Sequence, residues 1–172
     1  PLTEGLMRRQ ALMHEGWTCR RHVPVAIEFP IARRLQLRSL AAGGCIVFAN
    51  SGDRLHLLEL LHRFGVEQVT LSPRRVETLM DEAGRGAALA WPARCGLTLT
   101  GAPAPGALRA RIQAELTRNL YIAYGTVECG YISLAGPEDH ALHPEGVGRP
   151  CGSEVVVTDA HGRHLPHGET GF

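Results

Sequence analysis

Short apolar runs alternate with amphipathic segments between Cys45 and Ala123, and this alternation limits the possible folds more than any other feature of the chain. Each apolar run is about as long as a buried strand, and the segments between them place Leu, Val or Ile on one helical face. Strands joined through helices by short connections predict an α/β fold, a mostly parallel sheet with helices on both faces. The predicted strands are 45–49, 67–71, 97–100 and 120–123, and the predicted helices between them are 51–65, 72–84 and 105–118.

The flanking segments have a different character. Residues 4–17 and 31–44 have helical periodicity, and two prolines, Pro24 and Pro30, break the chain between them. Beyond about residue 135 the chain is rich in Gly and Pro, until 154–159 reads as a strand followed by a turn. We expect 1–135 to form the α/β subdomain, and 136–172 to form a loop and the beginning of a small antiparallel β module. Because one or two strands are marginal alone, we expect the chain to be an internal piece of a larger protein.

Charge and cysteine content exclude several functional classes. The 18 basic residues nearly balance the 17 acidic ones, which gives no reason to expect a nucleic-acid partner. Five widely spaced cysteines without a CxxC pair favour a reducing, cytoplasmic setting over a disulfide framework or a zinc site. No apolar run approaches the length of a membrane span. Arginine pairs at 8–9, 33–34 and 74–75 are interpreted as solvated helix faces.

Three motifs follow one another in the second half of the chain. Residues 100–105 read TGAPAP, residues 123–128 read AYGTVE, and residues 146–171 begin with GVGRP and end with GETG. Their order and spacing resemble those of the AMP-forming acyl-CoA synthetase and adenylation-domain superfamily. There, Gly-Ala-Pro is followed by Tyr-Gly-x-Thr-Glu, Val-Gly-x-Pro, Asp-x-x-Gly and Gly-Glu-x-Gly. The resemblance covers roughly residues 20 to 172.

The resemblance implies a reaction and a set of site residues. Such enzymes join a carboxylate to ATP, release pyrophosphate, and pass the acyl group from the adenylate to a thiol, usually coenzyme A or phosphopantetheine. It implies that Tyr124 lies against the adenine and that Gly125 lets the nucleotide approach the backbone. Glu128 would be the catalytic and metal-binding residue, holding Mg²⁺ beside the phosphates. The implied nucleotide-binding residues are Gly101, Ala102, Pro103, Ala123, Tyr124, Gly125 and Thr126.

The chain also departs from the family pattern. Val127 stands where the family has a Thr whose hydroxyl reaches the α-phosphate, and loss of such a bond costs on the order of 1.5–3 kcal/mol. The chain has no Lys, and we find no Ser/Thr/Gly-rich phosphate loop near residues 1–20. The family's ribose-binding Asp and C-terminal lid domain would lie beyond Phe172. We therefore expect the segment alone to be inactive, and a degenerate, non-catalytic adenylate-binding or interaction module is the alternative.

The substrate class is read from a single position. Amino-acid-activating members carry an Asp in this region that pairs with the substrate ammonium, and counting back from Gly43 or Gly44 places Pro30 or Ile31 in that slot. An unpaired buried ammonium is costly, so a plain carboxylic acid, fatty or aromatic, is favoured. Glu28 is close enough that a slip of one or two residues would restore a carboxylate. An amino-acid adenylation domain therefore stays open as a second alternative.

Overall fold

One seven-stranded sheet organises the chain. The computed structural model describes residues 19–23, 29–48, 54–82, 90–151 and 153–172. The strand order is β2-β1-β3-β4-β5-β6-β7; neighbouring strands are parallel from β2 across to β5, and β6 and β7 are antiparallel. The strands are β1 Arg20–His22, β2 Cys45–Val47, β3 Gln68–Leu71, β4 Gly96–Leu99, β5 Leu120–Thr126, β6 Gly130–Ala135 and β7 Arg149–Pro150.

Five helices are described, and the helix boundaries follow local sequence signals. The predicted start of the helix at 72–84 is confirmed: the Ser72 hydroxyl accepts from the Arg75 N–H at 3.3 Å, and Pro73 occupies the first turn. The predicted helix at 4–17 lies outside the described residues. The helices are α1 Pro30–Ala41, α2 Arg54–Phe64, α3 Pro73–Asp81, α4 Gly106–Glu115 and α5 Pro137–Leu142.

The two faces of the sheet have different cores. Alternate residues of β3 and β4, such as Val69 and Leu97, pack with α2, α3 and α4 into the larger apolar cluster. On the opposite face, α1 packs through Ala32 and Leu35 onto a smaller cluster that includes Tyr131. The prediction of a mostly parallel sheet with helices on both faces is therefore confirmed.

The fifth strand is longer than predicted. It does not end at Ala123 but runs to Thr126, turns, and returns as β6 in antiparallel pairing. The pairing is irregular between Tyr124 and Gly125, and Gly130 starts β6 with a φ of 80°. A β-hairpin therefore replaces the loop expected after a parallel strand, so Tyr124, Gly125 and Thr126 lie on a strand.

The last segment contains less strand than the sequence indicates. Within 154–159 only an isolated bridge forms, between Thr158 and His164. The side chains of Val155, Val156 and Val157 are 40–49% exposed. Among the described residues no further strand pairs with this stretch, so its β propensity does not produce a ladder. The division of the chain at residue 135 stays a prediction.

None of the described helices has both the length and the apolar character needed to cross a lipid bilayer.

Candidate functional site

Two cavities meet at the carboxyl end of the parallel strands. We call the first, of about 600 Å³, cavity I, and the second, of about 340 Å³, cavity II. Gly101, after β4, and Gly125, near the end of β5, line both cavities. Ligands of open α/β sheets bind at this edge of the strands. The arrangement can therefore hold two ligands whose ends lie close together.

Cavity I brings together the two predicted nucleotide-binding segments. The corner at 101–103 forms one side, and Ala123, Tyr124 and Gly125 form another. Tyr124 is 50% exposed, so its ring lies at the rim. Gly101 has a φ of 87°, a conformation that other residues rarely adopt, which turns the chain sharply at the cavity edge.

Gly125 has a structural requirement of its own. A Cβ atom at this position would collide with the carbonyl oxygen of Gly130 across the hairpin. The sequence predicted that Gly125 allows a nucleotide to come close to the backbone. In the structure, the absence of a side chain at Gly125 is already required for the two strands of the hairpin to lie this close together.

Glu128 lies on the exposed turn between β5 and β6 and lines neither cavity. The pKa of its carboxyl is lowered, chiefly by a hydrogen bond from its own backbone N–H and then by one from the Thr126 hydroxyl, with the charge of Arg34 acting in the same direction. The Thr126 hydroxyl also accepts from the Cys129 N–H at 3.1 Å. Thr126 therefore stabilises the turn and favours the ionised form of Glu128.

Arg34 on α1 holds this turn from the other side. Its Nη2 donates to the Val127 carbonyl at 2.6 Å, and Nη1 makes a longer contact of 3.4 Å with the Thr126 carbonyl. The side chain is buried and lines cavity II. The interpretation of the pair at 33–34 as a solvated face is wrong for Arg34, because α1 turns this residue toward the sheet.

Cavity II is mainly apolar, and three polar groups at its wall lack partners. Its apolar residues include Val23, Phe29, Pro30, Ile31, Leu35 and Leu71. Arg34 Nε, Thr70 Oγ1 and Tyr131 OH are buried and find no hydrogen-bond partner among the described residues. No described residue that lines this cavity is acidic. Buried polar groups in proteins are normally paired, so these three are candidates for ligand contacts.

Arg109 on α4 shapes the outer wall of cavity I. It is 4% exposed, and it donates to the carbonyls of Ala104 at 2.7 Å, Gly146 at 2.6 Å and Glu145 at 3.3 Å. Burial lowers the pKa of its guanidinium, while the charge of Glu145 opposes this. The three bonds tie the loop after α5 to the corner after β4.

Sequence reasoning missed Arg34, Thr70, Tyr131 and Arg109. Thr70 lies within a predicted strand, and its position at the carboxyl end of that strand was the available signal. Nothing in the local sequence distinguishes Arg109 from Arg111 on the same helix, although Arg109 is buried and Arg111 is half-exposed. Tyr131 belongs to a hairpin strand that the motif pattern did not indicate.

Comparison with known proteins gives consistent matches. A family model described as AMP-binding enzyme matches residues 17–172. Enterobactin synthase component E of Escherichia coli (strain K12) is 28% identical over 152 residues, which are 87% of this chain and 28% of that protein. A salicylyl-CoA synthase / salicylate adenylyltransferase from a Streptomyces species is 29% identical over 152 residues, 87% of this chain and 27% of that protein. The chain thus spans little more than a quarter of either relative.

Solved structures agree on the fold. The amide bond synthetase McbA from Marinactinospora thermotolerans superposes with a TM-score of 0.80 at 26% identity, covering 96% of this chain and 34% of that one. The o-succinylbenzoate CoA synthetase MenE from Bacillus subtilis gives a TM-score of 0.80 at 19% identity, covering 98% of this chain and 35% of that one.

Proposed function

This chain belongs to the family of AMP-binding enzymes, and on that premise we propose that it is the nucleotide- and acid-binding part of an AMP-forming acid–thiol ligase of the acyl-CoA synthetase type. In the first step a carboxylate oxygen would attack the α-phosphorus of ATP, forming the acyl-adenylate as pyrophosphate leaves. In the second a thiol would attack the acyl carbon, and AMP would leave. The observation that carries the proposal is the meeting of cavities I and II at Gly101 and Gly125.

We assign the nucleotide to cavity I. Gly101, Ala102 and Pro103 would form one wall around the adenine, and Ala123, Tyr124 and Gly125 the other. The half-exposed ring of Tyr124 offers an aromatic face to a flat base. Thr126 would act indirectly here, because its hydroxyl is engaged within the turn.

We assign the acid to cavity II. Pro30 and Ile31, the residues in the slot where amino-acid-activating relatives carry an Asp, both line this cavity. None of the described lining residues is acidic, which favours a plain carboxylic acid over an amino acid. Glu28, the carboxylate that would restore an ammonium partner, lies outside the described residues. An acid bound here would present its carboxylate to the α-phosphate near the two shared glycines.

Glu128 is the residue we propose to hold Mg²⁺. Its carboxylate is exposed, and its lowered pKa favours the ionised form, which fits a cation that is often bound by one or two carboxylates plus substrate phosphates. The metal would neutralise phosphate charge. Arg34 would fix the position of the turn that carries Glu128, since it binds the carbonyls of the two preceding residues.

The acceptor of the acyl group is the finer part of the proposal. We propose a thiol, either coenzyme A or the phosphopantetheine of a carrier. One matched relative is named as a salicylyl-CoA synthase, which supports a thiol, whereas McbA is named as an amide bond synthetase, which keeps an amine acceptor open. Measuring product formation with coenzyme A, a pantetheinylated carrier and a simple amine in parallel would decide among them.

Titration of ATP with Mg²⁺ into the full-length polypeptide that carries this chain tests the nucleotide assignment. We expect Glu128→Gln to lower the magnesium-dependent affinity for ATP and the rate of acid-dependent ATP–pyrophosphate exchange by at least about tenfold. Glu77→Gln is the matched control, because Glu77 is an exposed glutamate on α3 that lines neither cavity. Equal affinity and rate in the Glu128 and Glu77 variants would contradict the assignment.

The alternative is a degenerate module that binds an adenylate without turnover. One sequence feature of this chain favours it, Val127 in place of the family's Thr. Binding of an acyl-sulfamoyl-adenosine mimic without any pyrophosphate exchange by the full-length polypeptide would support this alternative. For the 172-residue chain alone we expect no exchange, and robust turnover by it would contradict us.

A further inference from the structure

We propose that the acid bound in cavity II is a compact, ring-sized carboxylic acid that carries a hydrogen-bonding oxygen substituent, either a hydroxyl or a second carboxylate. This inference rests on the proposed function and names its substrate class. It is carried by three polar groups on the wall of cavity II, Arg34, Thr70 and Tyr131, which come from three different elements of the fold.

Thr70 gives the clearest argument for an oxygen atom on the ligand, because its buried hydroxyl lacks a hydrogen-bond partner among the described residues. Thr70 is 3% exposed. Thr98 faces it in the parallel pairing of β3 and β4, and the hydroxyl of Thr98 accepts from Gln68 Nε2 at 2.6 Å. Thr98 lies outside the cavity, and its hydroxyl is hydrogen-bonded within the protein. Thr70 lines the cavity, and its hydroxyl has no such partner.

Tyr131 adds a second buried hydroxyl at the wall of cavity II. It is 8% exposed, and its phenolic oxygen also lacks a partner among the described residues. Burial raises the pKa of Tyr131 to about 12, although the charges of Arg21, Arg38 and Arg34 act against the shift. The phenol therefore stays protonated at neutral pH and can donate a hydrogen bond to a ligand in an electropositive environment.

Arg34 supplies a positive charge and one remaining donor. Its two terminal nitrogens contact the carbonyls of Thr126 and Val127, and its buried Nε has no partner in the described structure. Among the described residues, no carboxylate lies within ion-pair distance of its guanidinium. An oxygen of the ligand could accept from Nε, and a carboxylate there would also compensate the charge.

The remaining wall and the volume restrict the carbon skeleton. Phe29, Ile31, Leu35 and Leu71 make most of the cavity apolar. The volume of about 340 Å³ is near the lower end for ligand pockets, which favours a ring over a long acyl chain. An unsubstituted ring would fill the space but leave three desolvated polar groups unpaired, and sites built to bind a polar group reject the analogue that lacks it.

The test is acid-dependent ATP–pyrophosphate exchange by the full-length polypeptide with a matched set of acids. The set contains benzoate, the three monohydroxybenzoates, the three benzenedicarboxylates and hexanoate. We expect at least one hydroxy or carboxy isomer to exceed benzoate and hexanoate in kcat/KM by about tenfold or more, the equivalent of one or two hydrogen bonds. A higher kcat/KM with a hydroxybenzoate identifies the substituent as a hydroxyl, and a higher kcat/KM with a benzenedicarboxylate identifies it as a carboxylate.

Variants link the preference to the wall. We expect Thr70→Val and Tyr131→Phe, which remove a hydroxyl with little change of shape, each to lower the ratio of substituted to unsubstituted acid by about fivefold. Thr98→Val removes a hydroxyl from the same sheet face outside the cavity, and we expect the wild-type ratio. A kcat/KM for benzoate or hexanoate equal to or above that of every substituted acid would overturn the inference. Failure of all the acids to support exchange would instead overturn the proposed function, and this inference with it.

Discussion

Val127 is a hydrophobic side chain at the border of cavity II, 51% exposed and followed directly by Glu128. Its carbonyl is held by Arg34, so the backbone at this position is fixed independently of the side chain. We expect Val127→Thr to raise the kcat/KM of pyrophosphate exchange by about tenfold. A hydroxyl there can donate to a charged phosphate oxygen, which is worth about 1.5–3 kcal/mol, and the two side chains have nearly the same shape.

The control for this prediction is Val156→Thr. Val156 is 46% exposed and lines neither cavity, so the same chemical change there should leave exchange unaltered. Exchange in the Val127→Thr variant that is unchanged or slower than in the parent would show that the phosphate does not approach residue 127.

The motif residues of cavity I could be predicted from the sequence, whereas the polar residues that line cavity II could not. The corner at 101–103 and the segment at 123–125 were predicted to share a nucleotide site, and they do share one cavity. The assignment of a nucleotide to it remains a proposal. Arg34 could not be found in this way, because its burial depends on how α1 lies on the sheet. That helix buries Arg34 while it leaves Leu37 and Leu40 43% and 56% exposed, contrary to residue polarity.

At the scale of elements, the β5–β6 hairpin depends on the absence of a side chain at residue 125. We expect Gly125→Ala to destabilise the fold by about 3 kcal/mol or more, because the new Cβ collides with the Gly130 carbonyl and the strands must separate. Gly101→Ala is the comparison. Its Cβ would meet nothing within 4 Å, so only its positive φ of 87° is penalised, at about 1–2 kcal/mol. Chemical denaturation of both variants measures the difference, and equal losses would contradict the collision.

Arg109 forms a clamp, defined as its three hydrogen bonds that join the loop after α5 to the corner after β4. Arg109→Met keeps the apolar stem but leaves the carbonyls of Ala104, Glu145 and Gly146 without this donor. We expect a loss of about 2–4 kcal/mol in stability and a raised KM for ATP with a smaller effect on kcat, because the wall of cavity I loosens. Denaturation and steady-state exchange kinetics measure the two effects.

Arg111→Met is the matched control on the same helix. Its guanidinium pairs with Asp81 and Glu115 at the surface, and such pairs contribute little. A KM for ATP that responds equally to both substitutions would show that the clamp does not position cavity I.

The elements of the parallel half could be predicted from periodicity, except for the three-residue strand β1, and those of the antiparallel half could not. Strands β2 to β4 and helices α1 to α4 overlap predicted segments, and β5 begins where it was predicted but is longer. For α2, α3 and α4 the prediction succeeds because each buries one apolar side, whereas the burial of α1 does not follow residue polarity. The hairpin strand β6 follows only three residues after β5, and its start reads as a continuation of the motif. Conversely, 154–159 has strand propensity but in the described structure forms only an isolated bridge, between Thr158 and His164. Pairing across the sheet, which the local sequence does not record, decides both cases.

At the scale of the whole molecule, the two faces of the sheet differ in size and polarity. The face covered by α2, α3 and α4 is closed by the larger apolar cluster. The face beneath α1 carries a smaller cluster together with buried polar residues such as Arg21, Thr70 and Tyr131. Buried polar groups are tolerated on the second face because the first supplies most of the apolar burial.

Two buried histidines, His22 on β1 and His140 on α5, are expected to make the stability of the fold depend on pH. His22 Nδ1 faces the Val47 carbonyl at 2.9 Å, and His140 Nε2 faces the Leu120 carbonyl at 3.2 Å, so these nitrogens carry the proton. The other ring nitrogen of each is buried without a partner in the described structure. Burial is the main cause that lowers both pKa values, and the carbonyls of Val47 and Leu120 oppose it. Electrostatic interaction with His56 lowers the pKa of His22 further. At His140, the charge of Arg109 lowers the pKa and that of Asp139 raises it.

A lowered pKa means that the unfolded chain binds protons more readily than the folded one. The stabilisation is therefore complete above the ordinary histidine pKa of about 6.5 and is lost as pH falls from there through the folded values. We expect the free energy of unfolding to decrease between pH 7 and pH 5. His22→Asn and His140→Gln keep an amide N–H near the bonded ring nitrogen but cannot titrate, so together they should flatten this decrease. His161→Gln, at an exposed turn, should leave it unchanged, and an equal slope in the double variant and the parent would exclude these two groups as its source.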